Sequence, residues 1–305
     1  MRATAWAMTA VAVALSGCSI GQAPVFTTRP SAPAPATTAQ PGRSPVGSAR
    51  SSGPVPAAAN TAPAAPPPLP AAPGGGPGRF SPTAKGVLTG KTIVVDPGHN
   101  GGNAAAPGVI NRLIWNGRES ETCDTTGTQT DGGYPEALFN WNVARYLTAD
   151  LRAAGATVVL TRTTNTGVGP CVTQRAAIGN RAHANAAISI HADGGPPSGR
   201  GFAILEPVAD GINNAIVGPS ARLAADLRNA FAADTGEPVS SYDGTKGIQP
   251  RDNLAGTNLS TVPKVFIECA NMRNPTDAAL LVSPTWQAKA ARAIAAGLTT
   301  FLRQR

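Results

Sequence analysis

The chain has 305 residues, of which 42% are hydrophobic, and a formal net charge of +8. This charge favours a polyanionic partner such as a cell-wall polymer, a membrane surface or nucleic acid. We do not expect a nucleic-acid partner, because the sequence has no zinc-finger or RNP motif and an aromatic content of only 5%.

Residues 1–18 predict a secretory signal peptide. One arginine precedes an apolar run from Ala10 to Leu15 that is too short to span a bilayer as a mature helix. The tetrad that ends in Cys18, Leu-Ser-Gly-Cys, resembles a bacterial lipobox, in which the cysteine is lipidated and becomes the mature N-terminus. The alternative is an ordinary signal peptide with a chance cysteine. We favour the lipobox because Cys18 lies at the end of the apolar run, and two acyl chains suffice for stable anchoring.

Residues 19–84 are rich in Pro, Ala, Ser and Thr and contain almost no large apolar side chain. Such a segment buries too little apolar surface to offset its ordering entropy, so we predict a disordered linker. At about 3.1 Å per residue in polyproline II, it could extend on the order of 200 Å. A membrane-tethered domain could therefore act well out in the cell wall.

Strands and helices alternate from about Lys91 onward, which predicts a single α/β domain over residues 85–305 with a mostly parallel or mixed sheet. The predicted strands cover residues 93–95, 157–160, 187–190, 202–205 and 264–267. The predicted helices cover residues 136–154, 175–184, 220–235 and 284–303. Residues 100–133 are polar and glycine-rich without a clear period, so we predict a long loop over the site.

Two of the three histidines follow buried strands. His99 comes after the run Ile93 to Val95 and the turn Asp-Pro-Gly, and His191 comes after the run Ala187 to Ile190. The carboxyl ends of such strands are where ligands bind in open α/β sheets. Two histidines placed there can converge on one metal, with Glu136 as the third ligand because it opens the first long helix. A catalytic zinc takes three such ligands and leaves the fourth position to water.

The alternative for each histidine alone is a hydrogen-bonded surface or core residue. We assign His183, predicted within a helix in a polar context, to that alternative.

Glu268 is a further unusual carboxylate, because it directly follows the buried strand Val265 to Ile267. A carboxylate in this position must be paired, metal-bound or catalytic, since burying it alone is costly. A glutamate beside a zinc-bound water can take its proton and pass it to a leaving amine. The alternative is an ion pair with Arg273 or Arg251.

Five motifs occur in an order that matches a known family. They are VVDPGHNGG, the glutamate after Tyr-Pro, Leu-Thr-Arg at residues 160–162, Arg175 to Asn180 before ISIHADGG, and IECANMRNP near the end. Together they resemble the zinc-dependent N-acetylmuramoyl-L-alanine amidases of bacterial cell walls, the type-3 amidase family. The resemblance covers about residues 91–303 and is strongest to the small mycobacterial and actinobacterial members.

The resemblance implies roles for individual residues. It assigns zinc to His99, Glu136 and His191, and the catalytic glutamate to Glu268. It also implies a central sheet of about six strands with helices on both faces.

The cysteines fit an exported protein. Cys123 and Cys171 lie in loops and are plausible disulfide partners in an oxidising compartment, where two free thiols are the less favoured alternative. Such a bond would clamp the long loop beside the cleft. Cys269 follows Glu268 in an apolar strand end and is predicted to be a buried small residue rather than a zinc ligand.

The sequence as a whole predicts an exported, lipid-anchored zinc amidase of the cell envelope. Its substrate would be peptidoglycan or a muropeptide, cleaved at the amide between N-acetylmuramic acid and L-alanine, and we expect a monomer. A zinc peptidase acting within the stem peptide would use the same ligands. A non-catalytic peptidoglycan-binding lipoprotein would not need all four of His99, Glu136, His191 and Glu268, so their joint presence counts against it.

Overall fold

The computed structural model describes residues 86–304. The predicted signal peptide, the lipobox with Cys18 and the whole of the predicted linker lie outside the described residues. The strands are β1 (Thr92–Pro97), β2 (Leu113–Trp115), β3 (Ser120–Thr122), β4 (Thr157–Leu160), β5 (Ala186–Asp193), β6 (Ala203–Pro207), β7 (Ile248–Arg251) and β8 (Lys264–Asn271). The helices are α1 (Pro107–Ile110), α2 (Glu136–Ala153), α3 (Val172–Arg181), α4 (Asn214–Thr235), α5 (Ala255–Asn258), α6 (Pro275–Leu281) and α7 (Pro284–Arg303).

Six of these strands form one central sheet in the order β4-β1-β5-β8-β6-β7. Neighbouring strands are parallel throughout, except that β6 and β8 are antiparallel. The predicted mostly parallel sheet of about six strands is therefore confirmed. β2 and β3 pair with each other in a separate antiparallel ribbon.

The two faces of the central sheet differ in chemistry. One face carries Ile93, Val95, Ile188 and Ile267, which are fully buried in a core shared with α2, α4 and α7. The opposite face, which packs on α3 and α5, carries buried polar groups such as Asp96. Helices on both faces are confirmed, and no helix among residues 86–304 is long and apolar enough to cross a membrane.

The segment over residues 100–133 differs from the predicted loop. It contains a turn of 3-10 helix at Asn103–Ala105, the short helix α1 and the ribbon of β2 and β3. Strands of three residues are too short to show a hydrophobic period. They depend on distant contacts, such as the hydrogen bond from the Cys123 backbone N–H to the Arg112 carbonyl and the disulfide of Cys123.

Two central strands continue past their predicted ends. β5 runs through His191 to Asp193 and β8 runs through Glu268 to Asn271, because the two strands pair with each other over this length. His191 and Glu268 therefore lie within these strands rather than after them. The sequence analysis also did not predict β7, α5 or α6.

Two helices, α3 and α4, have boundaries that differ from the predicted ones. Helix α3 begins at Val172, where the Gln174 side chain accepts a hydrogen bond from the backbone N–H of Cys171. It ends at Arg181, so His183 lies beyond it with φ of 44° rather than within it. Helix α4 begins at Asn214, six residues before the predicted start, and contains Pro219.

The described chain begins at the amino end of β1. The backbone N–H of Leu88 donates to the Ala154 carbonyl at 2.9 Å, which holds this first turn against the end of α2. β1 then runs for six residues, about 20 Å at 3.3 Å per residue, before it reaches the site. The first described residues and His99 therefore lie at opposite ends of the strand.

Candidate active site

His99 lies directly after β1 in an unusual backbone conformation. Its φ is 55°, in the left-handed region that histidine enters more readily than most residues but still at a cost. Two buried arginines hold this turn: Arg162 Nε donates to the Pro97 carbonyl at 2.9 Å, and Arg175 Nη2 donates to the His99 carbonyl at 2.9 Å. The strained turn is thus fixed from outside rather than by its own residues.

The ring of His99 is oriented by the segment before α2. Its Nδ1 lies 3.3 Å from Oδ1 of Asp124 and 3.2 Å from the Thr125 carbonyl, both acceptors. Nε2 lies 3.2 Å from Oε2 of Glu136, so in the neutral ring with Nδ1 as the donor the lone pair of Nε2 is directed into the space beside this carboxylate. A carboxylate behind the ring in this way is the usual support for a metal-binding histidine.

Glu136 is the first residue of α2 and lies between the two histidines. Its Oε1 is 2.9 Å from Nδ1 of His191, while its Oε2 accepts the Thr128 backbone N–H at 2.9 Å. Asn140, one turn further along the helix, donates to Oε1 at 3.2 Å. The candidate ligand atoms of His99, Glu136 and His191 all lie within 4.8 Å of one another. The structure therefore brings the three predicted ligands together.

Two glycines make this close approach possible. A Cβ at Gly98 would overlap the ring of His191. A Cβ at Gly127, whose φ is 73°, would lie 2.8 Å from both Oε2 of Glu136 and Cδ2 of His99. Any larger residue at either position would push the three side chains apart.

The charges of the site favour a cation between these side chains. Burial lowers the pKa of His99, but Glu136 and Asp124 outweigh this and raise it to about 10. Burial likewise raises the pKa of Glu136, but His99 and His191 hold it well below its usual range. Two imidazoles and one carboxylate also form a donor set of catalytic zinc sites. The residues present therefore fit a zinc ion.

Glu268 lies on β8 directly opposite His191 in the register of the two parallel strands. Its Oε2 is buried and has no hydrogen-bond partner among the residues that the structure describes. Burial raises the pKa of this carboxyl well above its usual value, and the neighbouring Glu136 and Asp193 carboxylates raise it further. An orphaned carboxylate oxygen beside the three candidate ligands is free to accept a proton from a reacting group.

The alternative ion pair of Glu268 is not present between residues 86 and 304. Arg273 pairs instead with Oδ1 of Asp131 at 3.1 Å. Arg251 donates to the side chains of Asn253 and Gln249.

A buried charge network lies behind the site, and sequence reasoning did not find it. Asp96 accepts Arg175 Nη1 at 2.8 Å and Lys264 Nζ at 3.1 Å, and it also accepts the hydroxyls of Ser189 and Thr161 at 2.6 Å each. Arg175 and Thr161 lie in the sequence motifs, but their partner is distant in the chain. The network joins β1 to its neighbours and so sets the position of the His99 turn.

A cavity of about 170 Å³ opens beside two of the candidate ligands, His99 and His191. His99 and His191 form one side of it, and Glu121 and Thr122 of β3 form another. Phe266 also lines the cavity. Its ring stacks on the ring of His191, with centroids 5.4 Å apart. Part of a substrate could enter here and reach the ligands.

The cysteines agree with the sequence analysis. Cys123 and Cys171 form a disulfide that ties the segment before α2 to the start of α3, beside the cavity. Cys269 is a buried free thiol on β8.

This six-stranded fold, with a His-Glu-His group at the carboxyl edge of its sheet, defines a class of α/β protein with a candidate metal centre. The family model described as N-acetylmuramoyl-L-alanine amidase matches residues 93–300. The chain belongs to this family and is therefore an enzyme of the amidase class.

Individual relatives agree with the family. The N-acetylmuramoyl-L-alanine amidase Rv3717 of Mycobacterium tuberculosis is 40% identical over 216 residues, which cover 70% of this chain and 88% of the relative. The crystal structure of the amidase Ami1 from Mycobacterium smegmatis is 42% identical with a TM-score of 0.68, covering 72% of this chain and 99% of that one. Apo Ami1 from Mycobacterium abscessus is 39% identical with a TM-score of 0.67, covering 70% and 100% of the two chains.

Proposed function

We propose that this protein is a zinc-dependent hydrolase that cleaves the amide between N-acetylmuramic acid and the L-alanine of the peptidoglycan stem peptide. The observation that carries the proposal is the group of His99, Glu136 and His191 with the orphaned carboxylate of Glu268 beside it. Family membership supports the choice of amide bond.

His99, Glu136 and His191 would hold the zinc ion. Bound there, zinc polarises the substrate carbonyl and lowers the pKa of a bound water toward about 7. Glu268 Oε2 accepts the proton of the attacking water and delivers it to the nitrogen of L-alanine, which leaves as a free amine. The amide C–N bond breaks and leaves a carboxyl group on the lactyl group. The proton of this carboxyl passes to the released amine, so the products are a carboxylate and an ammonium group and both protons of water are accounted for.

The rest of the site keeps these groups in place. Asp124 orients the ring of His99, and Arg175 holds both Asp124, at 3.4 Å, and the backbone of His99. Neither residue needs to touch the substrate. They act by fixing a geometry in which small displacements are costly for catalysis.

We also propose that the enzyme is exported to the cell envelope, anchored by lipid at Cys18 and active as a monomer. The support for export and anchoring is the sequence of residues 1–18, and the linker after it would let the domain reach its substrate. The disulfide of Cys123 and Cys171 fits an oxidising compartment outside the cytoplasm.

A zinc peptidase that cleaves within the stem peptide would use the same ligands and the same glutamate. The amidase is favoured because the family model spans the whole site.

Mass spectrometry of muropeptides incubated with the full chain tests the proposal. We expect free stem peptide and unsubstituted sugar with added zinc, and loss of both products with a chelator. Cleavage between amino acids would establish the peptidase instead. Intact substrate that sediments with the protein would establish a binding lipoprotein without activity, and equal activity with chelator would overturn the role of the metal.

A further inference from the structure

Three of the six large apolar side chains that are exposed between residues 86 and 304 lie in or just before the ribbon of β2 and β3. Val109, Leu113 and Trp115 are 46%, 69% and 60% exposed and fall within seven residues of one another. Trp141 and Trp286, by contrast, are buried. Single exposed hydrophobic residues are ordinary, but a contiguous group that includes tryptophan indicates a contact surface.

The register of the ribbon places this surface next to the cavity. Leu113 lies opposite Thr122, and Trp115 lies opposite Ser120. These four residues share one face, since side chains alternate along a strand and pair across an antiparallel ribbon. Thr122 itself lines the cavity together with His99 and His191. Trp115 is therefore about 7 Å along the ribbon from Thr122 and on the same face as it. Glu121, on the opposite face, also lines the cavity, so the cavity meets the end of the ribbon rather than one of its faces.

Contacts on the other side hold the ribbon in this position. Glu121 Oε1 accepts the backbone N–H of Ala255 at 3.2 Å. Arg118, at the tip of the ribbon, pairs with Asp252 at 2.9 Å and with Asp210 at 3.6 Å. The exposed face thus presents its indole in a fixed place, which lowers the entropic cost of binding.

The occupant follows from the substrate, so this inference rests on the proposed function. If the amide lies at His99, Glu136 and His191, the sugar that carries it lies at the mouth of the cavity. The next sugar of the strand then extends along a wall of the cavity. A pyranose ring presents an apolar face of C–H groups with hydroxyls at its edge, and an indole is a flat apolar surface that such a face can cover.

We propose that Trp115 is a stacking platform for a sugar of the glycan strand next to the one that carries the cleaved amide. Leu113 extends the same apolar face toward the cavity. The enzyme would thereby prefer polymeric peptidoglycan over single-sugar muropeptides, through binding rather than through the chemical step.

The test uses the full chain as wild type, Trp115→Ala, Trp115→Phe and Ile212→Ala. Ile212 is the matched control because it is also exposed, at 56%, but lies in the loop before α4. Peptide-free glycan strands serve as the probe in calorimetric titration. We expect Trp115→Ala to weaken binding about 10-fold, and Trp115→Phe and Ile212→Ala to bind like wild type.

Kinetics separate this proposal from the proposed function. Trp115→Ala should raise KM for polymeric peptidoglycan about 10-fold with kcat unchanged, and should leave hydrolysis of a one-sugar muropeptide as in wild type. Failure of wild type to cleave either substrate would count against the amidase itself.

Three results would overturn the glycan platform. The first is equal glycan binding and equal KM in wild type and Trp115→Ala. The second is a dimer in sedimentation that Trp115→Ala abolishes, which would assign the face to a second copy. The third is binding to phosphatidylglycerol vesicles that depends on Trp115, which would assign it to a lipid surface.

Discussion

His191 and Glu268 lie opposite each other on the adjacent parallel strands β5 and β8, on the sheet face that carries the site. In the proposed mechanism, one strand therefore presents a metal ligand and its neighbour presents the group that moves the proton. Because both strands are central, their relative position is fixed by the sheet itself. The separation of roles between the two residues leads to the first prediction.

Glu268→Gln should keep zinc and lose activity. The amide preserves the shape of the side chain but cannot accept the proton, so we expect kcat to fall by about 10²–10⁴-fold. Zinc content measured by atomic emission should match wild type. His99→Ala should lose both, and Glu119→Gln, an exposed change on the ribbon, should lose neither. Full activity of Glu268→Gln would remove this residue from the mechanism.

Gly98→Ala should disturb the candidate metal centre without replacing any of its three candidate ligands. The added methyl group would overlap the ring of His191 and move it, and a displacement of about 1 Å can cost about 10²-fold in rate. We expect weaker zinc binding in a competition titration and a matching loss of activity. Gly108→Ala is the control, because a Cβ there meets no atom within 4 Å. Wild-type zinc affinity in Gly98→Ala would show that the ring can move without consequence.

Arg175→Met should be strongly destabilising. It removes the buried arginine that pairs with both Asp96 and Asp124 and leaves Asp96 with Lys264 alone, and breaking a buried pair in this way costs about 3–5 kcal/mol. Urea unfolding measures the loss. The matched control is Arg273→Met, whose pair with Asp131 is exposed and should be worth at most about 1 kcal/mol. Similar midpoints for the two variants would contradict a structural role for the network.

The folded protein should become less stable in acid because the buried Asp96 carboxylate becomes protonated. Burial raises the pKa of this carboxyl, but Lys264, Arg175 and the hydroxyls of Ser189 and Thr161 outweigh it and hold the pKa well below its usual value. A lowered folded pKa contributes stability above the unfolded pKa of about 3.9, and that contribution is lost as pH falls through the folded pKa. The free energy of unfolding should therefore fall more steeply below pH 4 in wild type than in Asp96→Asn. Parallel pH profiles would show that other carboxyls dominate.

Removing the disulfide should lower the melting temperature. Cys123 and Cys171 are 48 residues apart, and closing a loop of this length is worth about 4 kcal/mol in the chain-entropy model. The double variant Cys123→Ser with Cys171→Ser should melt well below wild type in calorimetry. Reductant should lower the melting temperature of wild type and leave the double variant unchanged. A response of the double variant to reductant would point to Cys269 instead.

The sequence predicted the parts of the fold that local patterns encode. The β-branched run of β1 and the helical period of α2 and α7 need no knowledge of distant residues. The ends of β5 and β8 could not be predicted in this way, because His191, Asp193 and Glu268 are polar residues that remain in strands only through pairing between the two.

The residues of the candidate site also differ in how far the sequence predicts them. His99, Glu136 and His191 were predicted to converge because each lies at the end or start of a regular element. The network around Asp96 was not predicted, since its cationic partners Arg175 and Lys264 are 79 and 168 residues away. Such a buried network leaves no local period or spacing in the sequence.

The turn of Leu88 against Ala154 has a practical consequence for handling the enzyme. Because the described chain starts at the amino end of β1 and the candidate active site lies at its carboxyl end, anything joined ahead of residue 86 is attached at the end of the strand opposite the cleft. Immobilisation through that end on a bead or sensor surface should present the mouth of the cleft outward, toward an insoluble substrate. Attachment through the ribbon of β2 and β3 should instead turn the cleft toward the support.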